Sequence, residues 1–296
     1  MKPVVKWAGG KRQLLDIISN YYPKRLGIDI KKYAELFVGG GAVLFDILKK
    51  YEIDEVYISD INRELINVYN IIRDDVNNLI KKLKIYEKKF INLNDSERRN
   101  MFYKLRDDYN EIISSEYIER KTKCATLFLF LNKTCFNGLY RVNSNGLYNV
   151  PFGSYKNPCI CDEINILEIS KLLKKVNIHC RDFRESYDFI DSKTFVYCDP
   201  PYRPLSNTAN FTSYSGFGFD DNDQIALAEY VQKLSIKGAY VLVSNSDPKN
   251  SDINDNFFNK IYVNQKIDRV KAKRVINSAS EKRGSVSELL IYNYKR

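Results

Sequence analysis

A chain of 296 residues with 44% hydrophobic and 28% charged content has the makeup of an ordinary globular protein, large enough for one big domain or two smaller ones. No apolar run approaches membrane-spanning length and the opening residues lack the apolar core of a secretion signal, so the expected location is intracellular, in the cytoplasm. The net charge of +10 suggests a polyanionic partner, and 22 tyrosines with 16 phenylalanines can fill a core and still spare rings for base stacking.

Lys6-Trp7-Ala8-Gly9-Gly10-Lys11 opens the chain and leads into an amphipathic helix from Gln13 to Tyr21. Gly-Gly allows close backbone approach to a ligand, but the upstream glycine and following Ser or Thr of a Walker loop are missing. An N-terminal loop whose lone tryptophan packs in the core is the equal alternative. Tyr33 to Val38 then reads as a strand, Gly39-Gly40-Gly41 as a turn and Ala42 to Lys49 as a helix, the first unit of a nucleotide-binding fold. A second strand, Glu55 to Asp60, ends in an acid about twenty residues after the glycines, where such folds hold ribose hydroxyls. A helix-capping role for Asp60 is compatible with that one.

Asn62 to Phe90 and Asn92 to Tyr109 carry helical spacing, and Cys124 to Leu131 is apolar on every side, as in a buried helix. This block is too long for a strand-to-helix connection and is expected to form a second domain. Asn145-Gly146, between two short β-prone runs, predicts a hairpin over Asn137 to Val150, followed by an exposed loop with Pro151, Tyr155 and Lys156. A two-stranded ribbon fits the DNA major groove, where Arg141 and Asn143, two residues apart on one face, could hold guanine and adenine. A solvated surface hairpin is the plainer alternative.

After Asp162 the α/β pattern returns. Val176 to Cys180 reads as a strand followed by Arg181-Asp182-Phe183, and Asn222 to Lys237 reads as a helix before a buried strand, Ala239 to Asn245. Further strands are expected at Ile261 to Asn264 and Glu288 to Tyr292, flanking a basic loop with Arg269, Lys271, Lys273, Arg274, Lys282 and Arg283 that could touch phosphates. Cys159-Ile160-Cys161 has no second pair and His179 is the only histidine, so neither a zinc site nor a histidine-based mechanism is expected.

Thr194-Phe195-Val196-Tyr197-Cys198-Asp199-Pro200-Pro201-Tyr202 organises the rest. A buried central strand stops at a carboxylate, and two prolines carry the backbone out of the sheet in a rigid turn. Asp199, the turn carbonyls and the Tyr202 ring then stand at the carboxyl end of a strand, where open α/β sheets place ligands. Acceptors beside an aromatic ring suit a flat substrate bearing an NH2 group, provided that Asp199 faces a cavity and is not walled off in an ion pair.

These segments, with Asn149-Val150-Pro151-Phe152-Gly153-Ser154-Tyr155 and Phe211-Thr212-Ser213-Tyr214, occur in an order that resembles the Dam-type family of site-specific DNA adenine-N6 methyltransferases. The resemblance runs nearly the whole length. It implies a Rossmann-like, mostly parallel seven-stranded sheet, residues 1–61 and 162–296, with an inserted, mainly helical DNA-recognition domain over 62–161 that bears the hairpin. It implies S-adenosylmethionine as cofactor, at Trp7, Lys11, Phe37, Gly39, Asp60, Asp182, Phe183 and Asp199, with no metal. Asp199, Pro200 and Tyr202 would be catalytic. Asn137, Leu139, Arg141, Asn143, Pro151 and Tyr155 would read or flank target bases, with Lys273 and Arg274 on phosphates. The expected partner is double-stranded DNA carrying GATC, its adenine flipped into the site by a monomer or weak dimer, with no membrane involved. An RNA or protein-amide methyltransferase would share the Asp-Pro-Pro-Tyr turn but gives the hairpin no purpose. A nicotinamide oxidoreductase would leave that turn unexplained, and an inactive DNA-binding module would not need Asp199.

Overall fold

Tyr33 and Phe195 enter one core and their neighbours Ala34 and Val196 another, as the two-residue period of a strand requires. This division runs through the computed structural model, which describes residues 1–7, 9–115, 120–203, 218–273 and 285–296. The strands are β1 (Lys32–Glu35), β2 (Glu55–Asp60), β3 (Val176–Cys180), β4 (Thr194–Cys198), β5 (Tyr240–Ser246), β6 (Lys266–Lys273) and β7 (Ser285–Tyr292). They form one seven-stranded sheet in the order β3-β2-β1-β4-β5-β7-β6. The first five are parallel, and β7 lies antiparallel between β5 and β6. This is the expected Rossmann-like sheet. Strands covered on both faces explain the unbroken apolar runs of β4 and β5.

One face is covered by α8 (Asp221–Ile236) and α9 (Phe257–Ile261), through Leu227, Val231 and Phe258 among others. The other face carries α1 (Leu15–Ser19), α2 (Ala42–Lys50), α3 (Arg63–Asp74) and α7 (Glu163–Leu173). Beyond them stand α4 (Val76–Ile91), α5 (Asp95–Ser114) and α6 (Lys121–Thr134). Helix α3 packs on β2, β3 and α6 together, so the helical block shares its core with the sheet. The long periodic stretch after Asn62 is two helices, because Asp75 leaves helical geometry (φ −136°, ψ 39°) and its carboxylate receives the Thr122 hydroxyl at 2.7 Å. Residues Cys124 to Leu131 of α6 are buried all round, as predicted.

Two predicted features differ. Ile261 to Asn264 is not a strand: Phe258 and Tyr262, one helical turn apart, are both buried, so the chain coils there and β6 starts at Lys266. Arg269 and Lys271 therefore lie in a strand and not in a basic loop, and Arg269 Nε pairs with buried Asp247 Oδ2 at 3.1 Å. Among the described residues no helix is long and apolar enough to cross a membrane.

Candidate functional site

The order β1-β4 brings the ends of two strands from different parts of the chain side by side, at the point where the sheet reverses its winding. Asp199 leaves β4 at this crevice with one-fifth of its side chain exposed. Its Oδ1 receives Lys11 Nζ at 2.7 Å and the Ser244 hydroxyl at 2.9 Å. Both contacts fall on Oδ1. Burial raises the pKa of the carboxyl, while Lys11 and Ser244 pull it down. Asp199 is thus ion-paired but not walled off. The same lysine lies 4.5 Å from the centre of the Tyr202 ring and donates to the Gly9 carbonyl at 2.8 Å. Tyr202 Oη in turn donates to Glu288 Oε2 at 2.6 Å.

Beside this corner is the glycine turn. Gly39 has φ +46°, and a Cβ there would stand 2.9 Å from Trp7 Cδ1. The Gly39 N–H donates to Asp60 Oδ2 at 3.0 Å and the Asn62 N–H to Asp60 Oδ1 at 2.9 Å, so Asp60 ties the end of β2 to the turn. Fully buried Glu35, at the end of β1, accepts the Tyr33 hydroxyl at 2.6 Å. Burial and the nearby Asp199 and Asp60 push its pKa up to about 8. Phe37, from the turn, packs on Phe183 (5.6 Å between ring centres) and Phe219 (5.7 Å). Asp182 caps the short turn after β3 through the Arg184 N–H at 2.9 Å. Trp7, Phe37, Gly39, Asp60, Asp182 and Phe183 therefore line one edge of the sheet. Lys11, expected among them, sits on Asp199.

The hairpin is tighter than predicted. Val142 and Tyr148 form a single antiparallel bridge in place of two strands. Around that bridge the Asn143 N–H donates to the Leu147 carbonyl at 2.9 Å and the Asn149 N–H to the Arg141 carbonyl at 3.1 Å, while the Tyr148 backbone faces α5, where Asn110 accepts its N–H at 2.8 Å and donates to its carbonyl at 3.1 Å. Arg141 is laid across the hairpin, Nε on Asn149 Oδ1 at 2.6 Å and Nη2 on the Asn149 carbonyl at 3.2 Å. Asn143 Oδ1 instead accepts the N–H groups of Asn145 and Leu147, both at 3.0 Å, and so shapes the turn. Asn137 takes a left-handed conformation (φ 54°) beside Phe136, which is half exposed. Pro151 is exposed and Leu139 half-buried. Tyr155 carries Lys6 Nζ 4.4 Å from its ring centre. Lys273 is the last residue of β6; Arg274 and Phe211 to Tyr214 lie outside the described residues.

Hairpin and crevice meet through the N-terminal segment. Buried Asn132 of α6 accepts the Lys6 N–H at 2.8 Å and donates to the carbonyls of Lys6 (2.9 Å) and Gly138 (3.1 Å). Trp7 stacks on Tyr140 at 5.4 Å, and Tyr140 on Phe128 at 5.3 Å.

The family described as D12 class N6 adenine-specific DNA methyltransferase matches residues 7–276, a span from Trp7 through the Asp-Pro-Pro-Tyr corner. The chain belongs to this family. It is 48% identical over 296 residues to Type II methyltransferase M.MjaIII of Methanocaldococcus jannaschii, covering 99% of both chains. It is 34% identical to Type II methyltransferase M1.LlaDCHI of Lactococcus lactis subsp. cremoris, over 99% of this chain and 96% of that one. A DNA adenine methylase of Vibrio cholerae is 33% identical, over 97% of this chain and 94% of that one.

For this D12-class chain the crevice suits a cationic cofactor. Glu35, Asp60 and Asp199 are acids whose pKa values are all raised by burial, and two of them repel Glu35. Such a group of carboxyls is relieved by a positive charge, as a sulfonium carries. Sequence reasoning missed Ser244, Glu288, Phe219, Lys6 and Asn132. Ser244 had a local signal, as a polar residue within the buried strand next to β4, and Lys6 stood in the N-terminal motif.

Proposed function

We propose that the chain transfers a methyl group from S-adenosylmethionine to N6 of adenine in duplex DNA, within GATC, after the base has been flipped out of the helix. The observation that carries this reading is the corner at the end of β4, where, among the described residues, Asp199 is held through Oδ1 alone beside the Tyr202 ring. Asp199 and the Pro200 carbonyl accept the two N6 hydrogens and aim the nitrogen lone pair, while Tyr202 supports the plane of the base. When bound, S-adenosylmethionine supplies a methyl carbon already activated by its positive sulfur. Trp7, Phe37, Gly39, Asp60, Asp182 and Phe183 hold it against the glycine turn, and Lys11 neutralises Asp199 until the amine arrives.

On the DNA side, Asn137, Leu139, Arg141, Asn143, Pro151 and Tyr155 read or flank the bases, with Lys6 brought against Tyr155 and Lys273 and Arg274 on phosphates. The GATC assignment rests on the likeness of this hairpin to Dam-type readers. We assign recognition to the 62–161 insertion and catalysis to residues 1–61 and 162–296, acting in the cytoplasm as a monomer or weak dimer.

Asp199→Ala abolishes transfer of tritiated methyl to unmethylated DNA; near-normal turnover would refute the assignment. Genomic DNA from a host expressing the protein resists nucleases blocked by adenine methylation in GATC. Full cleavage alongside methyl incorporation would place the target in another sequence. A 2-aminopurine at the target position brightens on binding if the base leaves the stack.

A further inference from the structure

Gln224 and Asn245 are amide side chains with no exposed surface, in the first turn of α8 and near the end of β5. Burying an amide is costly unless its hydrogen bonds are made. Asn245 Nδ2 donates to Gln224 Oε1 at 3.0 Å, and Gln224 Nε2 donates to the Pro201 carbonyl at 3.0 Å. The direction of the relay is fixed at its far end. Asn245 Oδ1 is taken by the Ser246 N–H at 2.9 Å, so its NH2 must face Gln224, and the Gln224 NH2 must face Pro201. The relay thus ends on the turn that carries Asp199 and Tyr202.

That turn has little freedom left. The rings of Pro200 and Pro201 lock φ at both residues, and the peptide planes lock ω. The soft torsion at Pro201 is ψ, which sets both the direction of its carbonyl and the point from which Tyr202 departs. Gln224 pins this torsion by drawing the Pro201 carbonyl inward. Among the described residues no donor lies on the Pro200 carbonyl, which stays open as an acceptor.

We propose that Gln224, oriented by Asn245, is a positioning residue for methyl transfer: it fixes the Pro201 peptide so that the Pro200 carbonyl and the Tyr202 ring meet the target amine in register. This rests on reading the Asp-Pro-Pro-Tyr corner as the amine-binding site. The relay touches no reacting atom and works only through the turn.

The test compares Gln224→Met, which keeps length and loses the donor, with Gln224→Glu, which keeps shape. Both are assayed on unmethylated plasmid DNA. Gln224→Met binds S-adenosylmethionine and DNA within about threefold of the parent protein, while kcat falls about 10- to 100-fold, the scale of an ångström-level misplacement. In Gln224→Glu only the protonated carboxyl can donate to Pro201, so kcat relative to the parent protein rises as pH falls. A merely structural role would lower the melting temperature and the active fraction, but kcat per active site, counted by S-adenosylmethionine binding at each pH, would stay at the parental value. Parental kcat in Gln224→Met, or a flat ratio across pH in Gln224→Glu, overturns the positioning role if Asp199→Ala is inactive. Should Gln224→Met fail to fold, the Gln224→Glu profile decides. If Asp199→Ala is itself active, the underlying reading of the corner is what fails.

Discussion

Lys11 Nζ stands 2.7 Å from Asp199 Oδ1 and 4.5 Å from the centre of the Tyr202 ring. A donor nitrogen bonded to the carboxylate and set against the aromatic face has the relations proposed above for the adenine amine. It also opposes the burial that pushes the Asp199 pKa upward.

Lys11→Met leaves that burial unopposed. In the proposed reaction the carboxylate is the form that accepts N6 hydrogens, so the acid limb of the kcat profile moves to higher pH, by about 1 to 3 units for a lost neighbouring charge. Rates measured from pH 5 to 9 check this; an unmoved limb would show that Lys11 does not set the state of Asp199.

Gly39→Ala forces a side chain into a left-handed conformation 2.9 Å from Trp7 Cδ1. The backbone cost is about 1 kcal/mol, and Trp7 must also move. The expected outcome is a lower melting temperature, weaker cofactor binding and an altered emission of Trp7, the only tryptophan. Fluorescence titration reads both effects in one sample.

Glu35 ionises near 4.5 as an ordinary glutamate but holds its proton to about 8 in the folded chain. The folded state therefore binds more protons in that window. The stability contributed by the protonated group is complete below the lower value and lost as pH rises through the upper one. Glu35→Gln removes this loss, so its stability relative to the parent protein rises between pH 5 and pH 9. Urea denaturation at the two pH values gives the comparison.

Asn110→Ala removes both backbone partners of Tyr148 at 2.8 and 3.1 Å. An unsatisfied pair of this kind costs about 1–3 kcal/mol, and it falls on the hairpin. DNA binding weakens while affinity for the cofactor holds; equal losses in both would place Asn110 in the general core instead.

Strands β1, β2, β4 and β5 were legible because central parallel strands are apolar on both faces and end in turn residues. β6 was not: Lys266-Ile267-Asp268-Arg269-Val270-Lys271 is the polar edge of the sheet, and Arg269 is held there by Asp247 and Asn259, 22 and 10 residues away. The same limit governs the site. The carboxylate, the prolines and the tyrosine are adjacent in sequence and declare themselves. Lys11 and Ser244 reach Asp199 from positions 188 residues before it and 45 after, and Gln224 finds Pro201 only because α8 folds back over the end of β5. Asn143 carries a local duty that its neighbours in sequence do not announce, since its Oδ1 shapes the turn through the N–H groups of Asn145 and Leu147.

The three hydrogen bonds of Asn132 bolt Lys6 to Gly138, so the extreme N-terminal segment and the hairpin travel as one piece. On the proposed role of the hairpin, an attempt to re-engineer sequence preference by grafting residues 137–155 from a relative must carry the segment around Lys6 and the asparagine between them. A graft that leaves these behind would seat the new loop on a support that no longer fits it.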